Sequence, residues 1–60
     1  MPVITVKMFE GRTRQQREEF TKVVTKAAVD ILKTPVEHVW IVFEDRPKSH
    51  WAIGGKLCDQ

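Results

Sequence analysis

Residues 2–9, Pro-Val-Ile-Thr-Val-Lys-Met-Phe, are rich in β-branched positions and run into Glu10-Gly11, a turn signal. This pattern predicts a strand, with Pro2 at its first position, where a missing N–H costs least. The hydrophobic period then changes. Phe20, Val23, Val24, Ala27, Ala28 and Ile31 recur at the spacing of one apolar helical stripe. Arg17, Glu18, Lys22, Lys26 and Asp30 fall largely off it. Thr13-Arg14-Gln15-Gln16 supplies a capping box, and the helix is expected to run to about Lys33, because Pro35 disfavours helical geometry at Thr34. A second strand is predicted over His38–Glu44, with Val39, Ile41 and Phe43 on one side and Trp40 and Val42 on the other. A strand apolar on both faces is buried on both. One helix covers only one face of a two-stranded sheet, so the other face must meet another copy or a site. Residues 45–50 read as a polar loop, and Trp51–Lys56 as glycine-kinked chain able to form a short hairpin across a neighbour. Strand, helix and strand in this length imply parallel strands with a right-handed crossover. The expected fold class is α/β, a β-α-β protomer with a short C-terminal hairpin.

Composition sharpens the oligomer expectation. A chain of 60 residues makes one domain, residues 1–60. Chains this short bury only roughly 60% of their unfolded surface and usually add disulfides, a metal or self-association. The single cysteine, Cys58, excludes an internal disulfide. His38, His50 and Cys58 show no close ligand spacing, so no metal is expected. Apolar content of 42% in so small an interior leaves apolar surface to be buried between copies. A formal charge of +2 is too small to argue for nucleic acid, and Arg12, Arg14 and Arg17 are not interleaved with aromatics. Nothing resembles a signal sequence or a membrane span, and the lone thiol suits a reducing compartment, so a cytoplasmic location is expected.

Pro2 is the first candidate for chemistry. A small residue after Met1 directs removal of that methionine, which would leave a secondary amine on a rigid ring. Such a group serves as a general base or nucleophile near neutral pH; with Met1 attached the same nitrogen is a tertiary amide and cannot. The plainer reading is that Pro2 only opens the strand. Arg12 can pair with a carboxylate through two parallel hydrogen bonds, or be a solvated charge ahead of the helix. Arg14 and Arg17, on the opening turns of the helix, read as surface charges, and His38 and His50 as structural or surface residues.

Taken in order, Pro2 after Met1, Glu10-Gly11-Arg12 at the end of the first strand, the helix, the second strand, Trp51 and Ile53-Gly54-Gly55 resemble the tautomerase superfamily, specifically its small 4-oxalocrotonate tautomerase type. The resemblance covers nearly the whole chain. It implies dimers of β-α-β protomers assembled into a hexamer. It also implies an isomerase that interconverts enol and keto forms of unsaturated 2-oxo acids, as in aromatic-compound degradation. No cofactor is implied, because one amine placed over the conjugated system can both remove and deliver the proton. Pro2 would be the base, kept neutral by apolar surroundings and nearby positive charge. Arg12 would bind the carboxylate of a small-molecule substrate, typically across a subunit boundary, and Trp51 would wall the site and stack on the substrate.

Trp40 departs from that pattern. Strongly active members carry a second arginine there, beside the 2-oxygen. An indole donates one hydrogen bond and carries no charge. Losing a preorganised donor typically costs about 10²–10³ in rate. Trp40 would then contact substrate by stacking, which suits a monocarboxylate or aryl-bearing enol. Arg46 or Lys48, in the following loop, could compensate in part, with nothing in the sequence to place them. Two other functions stay open. One is a hydratase- or dehalogenase-type relative using the same proline, with Glu44 or Asp45 to activate water; the other is a non-catalytic oligomeric binding protein.

Overall fold

The computed structural model describes residues 1–60. Strand β1 (Val3–Phe9) is followed by helix α1 (Arg14–Leu32), a 3₁₀ turn (Val36–His38), strand β2 (Trp40–Arg46), a second 3₁₀ turn (Lys48–His50) and two short strands, β3 (Ala52–Ile53) and β4 (Lys56–Leu57). β1 and β2 pair in parallel from Val3↔Trp40 to Phe9↔Arg46. The ladder gains one bond at each end: Trp40 N–H donates to the Pro2 carbonyl and Glu10 N–H to that of Arg46, both at 3.0 Å. The predicted β-α-β unit is present, and β3 and β4 form the antiparallel hairpin. Gly54 and Gly55, at φ 60° and 85°, make its two-residue turn, where both positions need positive φ.

The helix starts where its capping box predicts. Thr13 Oγ1 accepts from Gln16 N–H at 3.1 Å, and Gln16 Oε1 accepts from Thr13 N–H at 2.9 Å. It ends on Lys33, left-handed at φ 56°, whose N–H donates to Val29 at 3.2 Å; Pro35 then prevents further helix. No helix is long and apolar enough to cross a membrane.

Three expectations are corrected. The second strand begins at Trp40 rather than His38, because residues 36–38 close a 3₁₀ turn behind Pro35, and it continues through Asp45 and Arg46 into the predicted loop. The helix turns a partly different stripe to the sheet: of the predicted positions Ala28 is buried at 6% exposure and Val24 half-buried, joined by Arg17, Thr21, Thr25 and Val29, while Val23, Ala27, Ile31 and much of Phe20 are exposed. Threonines and the stem of an arginine can line a helix–sheet contact, so hydrophobicity alone misjudged its direction by part of a turn. Arg17 is accordingly no free surface charge; it pairs with Asp45 at 3.1 Å.

Ile4, Val6, Met8, Ile41, Phe43 and Asp45 form the half-buried face of the sheet, with Phe20 packed edge-on to Phe43 at 6.1 Å. Val3, Thr5, Trp40 and Val42 lie on the other face, which nothing in the chain covers. The energetic consequence is large. A compact 7.0 kDa protein exposes about 4,040 Å², whereas this chain exposes 4983 Å². Its radius of gyration is 14.5 Å, against about 10.4 Å for a compact domain of this length. One buried residue does not make a core.

Candidate active site

Pro2 is half-buried just before β1, and Met1 ahead of it is largely exposed. The bond from Trp40 N–H to the Pro2 carbonyl fixes Trp40 beside Pro2, and the Trp40 side chain is 55% exposed on the uncovered sheet face. Arg12 lies in the short connection from β1 to α1. It lines a cavity of about 230 Å³ with Val6, Met8, Gln16, Phe20 and Phe43, at the covered side of the sheet's far end. Trp51 is held at that same end, packed edge-on to Phe9 with centroids 5.3 Å apart. Its carbonyl accepts from Cys58 N–H at 2.8 Å, which anchors the hairpin. Its Nε1 is buried without an acceptor.

One protomer therefore brings Pro2 to Trp40 and collects Arg12 and Trp51 elsewhere. The seven-residue β1, at about 3.3 Å per residue, separates the two ends by about 20 Å. Pro2 therefore does not meet Arg12 or Trp51 within one chain, in keeping with the expectation that Arg12 acts across a subunit boundary. The same spacing removes Arg46 and Lys48 as stand-ins at Trp40 within the protomer. Arg46 pairs with Phe9 in the register, and Lys48 Nζ sits 5.8 Å from the Phe9 ring centroid.

All four arginines occupy this far end. Arg14 is paired with Glu18 at 2.9 Å and Arg17 with Asp45 at 3.1 Å, but Arg12 and Arg46 have no carboxylate partner. Phe9, legible in the sequence only as the last residue of the first strand, is the residue against which Trp51 packs. Arg46 falls in the loop predicted for residues 45–50, whereas the register places it at the end of β2 opposite Phe9.

The comparisons agree with this architecture. Residues 2–59 match the family described as tautomerase enzyme. A probable tautomerase of Bacillus cereus is 41% identical over 56 residues, covering 93% of this chain and 92% of that protein. A 2-hydroxymuconate tautomerase of Bacillus subtilis is 38% identical, covering 93% and 90%. Among solved structures, the heterohexamer 4-oxalocrotonate tautomerase from Chloroflexus aurantiacus superposes with a TM-score of 0.89 at 27% identity, over 100% of this chain and 97% of that one.

The chain belongs to the tautomerase family. It is an isomerase, and the non-catalytic reading is set aside. For a tautomerase the separation of Pro2 from Arg12 carries meaning, because proton transfer needs an acid–base group and an anchor within one substrate's reach. In one protomer of this tautomerase Pro2 and Arg12 stand at opposite ends of the sheet.

Proposed function

We propose that this tautomerase ketonises unsaturated 2-hydroxy acids without a cofactor, with Pro2 as general base once Met1 is removed. The observation that carries the reading is the division of the candidate residues between the two ends of one sheet. A base with an exposed indole lies at one end, and an unpaired arginine with an aromatic wall lies at the other. Self-association completes the site: the Pro2–Trp40 end of one protomer meets the Arg12–Trp51 end of another. The uncovered sheet face supports dimers, which we take to gather into a homohexamer; the Chloroflexus relative is also a hexamer, though one built from different chains.

The reaction then follows from the groups. The amine takes the proton from the substrate's 2-hydroxyl as the 2-oxo group forms. The electron pair moves through the conjugated chain, and the proton is returned to carbon. Arg12 anchors a carboxylate, while Trp40 and Trp51 stack on the planar substrate and exclude water. The 2-hydroxymuconate tautomerase of Bacillus subtilis supports a dienol as the first substrate to try. Water activation by Asp45 is disfavoured, since Arg17 holds its Oδ2.

The test joins intact mass, which should show loss of Met1, with ketonisation of 2-hydroxymuconate followed by ultraviolet absorbance. Pro2→Ala should lower kcat by about 10²–10⁴. Full activity in Pro2→Ala would remove the proline base from the mechanism. Halide release from 3-haloacrylates at a comparable rate would instead favour the dehalogenase-type reaction.

A further inference from the structure

We propose that Arg46 is a second substrate-carboxylate ligand, acting from the Trp51 wall of the site; this rests on the assembly of the site from two protomers described above. Four observations converge on it. Arg46 shares an open cleft of about 280 Å³ with Lys7, Glu44, His50 and Trp51. The cleft holds two permanent cations against one carboxylate, so its fixed charge favours an anionic occupant. Neither Arg46 nor Lys7 forms an ion pair, although Glu44 stands opposite Lys7 in the register and two residues from Arg46 on the same strand face. The other two helix-end arginines, Arg14 and Arg17, both have carboxylates.

The register makes the position firm. Arg46 ends β2 opposite Phe9, and its carbonyl takes the Glu10 N–H at 3.0 Å, two residues before Arg12. Phe9 in turn carries the Trp51 ring at 5.3 Å. The end of the sheet thus presents two unpaired guanidinium groups, Arg12 from the covered side and Arg46 from the uncovered side beside the indole. The two line separate clefts that share no residue, so a planar acid would have to span the sheet end, with one carboxylate on each fork-shaped donor and none required from the uncharged Trp40 end.

The experiment compares Arg46→Met and Arg46→Lys on two dienols, 2-hydroxymuconate with two carboxylates and 2-hydroxypenta-2,4-dienoate with one. It also measures calorimetric binding of cis,cis-muconate, which has both carboxylates and no hydroxyl to react. Arg46→Met should lower kcat/KM for the dicarboxylate by about 10- to 100-fold, mostly through KM, and weaken muconate binding by a similar factor. The monocarboxylate should change by less than about threefold, and Arg46→Lys should recover part of the loss, since it keeps the charge and not the fork. Unchanged dicarboxylate kinetics and muconate binding would overturn the proposal. An equal fall on both substrates would also overturn it, because that marks a structural role at the strand end. If the wild-type protein binds muconate through Arg46 but ketonises neither dienol, the proline mechanism fails and the Arg46 assignment stands. If ketonisation depends on Pro2 while Arg46→Met is silent, the reverse holds.

Discussion

Placing a charge on the uncovered sheet face should dissociate the protein and unfold it in one step. Val42 lies in the middle of β2 on that face and is 44% exposed. Complete burial of an aliphatic side chain is worth about 1.5–3 kcal/mol, so covering the remaining surface contributes about 0.7–1.3 kcal/mol per protomer, or about 4–8 kcal/mol over the six copies of the proposed hexamer. Val42→Lys removes that contribution and, if the face is closed, adds several kcal/mol for a desolvated ammonium. The released protomer has little to fall back on. Its surface of 4983 Å² exceeds the compact expectation by about 940 Å², more than the roughly 800 Å² each partner buries in a standard interface. Sedimentation equilibrium and circular-dichroism melts over a range of concentrations provide the assay. The wild-type protein should be a single oligomer whose Tm rises with concentration, as linkage requires. Val42→Lys should lose mass and helicity together, while Gln15→Lys, on an exposed helix position, should change neither. A wild-type chain that stays monomeric and helical at micromolar concentration refutes the reasoning, as does a Val42→Lys variant of unchanged mass and Tm.

Other perturbations test single links. Arg12→Lys should lower kcat/KM for a dienol acid by about tenfold, chiefly in KM, because a lysine keeps charge and loses the bidentate pair; steady-state kinetics read this directly. Trp51→Leu should lose the edge-on contact with Phe9, worth about 0.5–1.5 kcal/mol, and appear as a lower denaturation midpoint together with reduced turnover. Thr13→Ala removes the Oγ1 acceptor for Gln16 N–H and should destabilise the helix start by about 1 kcal/mol, measured in urea at fixed protein concentration.

The sequence by itself determined the elements and their order. Capping at Thr13, termination at Pro35, alternation in the strands and the paired glycines at 54 and 55 act through local backbone geometry, which neighbouring residues control. It also marked Pro2, Arg12, Trp40 and Trp51, whose chemistry belongs to the residue type. Where those groups stand relative to one another was decided by tertiary structure. The face that α1 turns to the sheet depends on Arg17 reaching Asp45 across 28 positions of chain and on threonines accepting half-burial, neither of which hydrophobic period encodes. The extension of β2 to Arg46 depends on β1 being long enough to pair with it. Parallel pairing then sends Pro2 and Trp40 to one end of the sheet and all four arginines to the other, so the opening proline and Arg12 are kept about 20 Å apart in one chain.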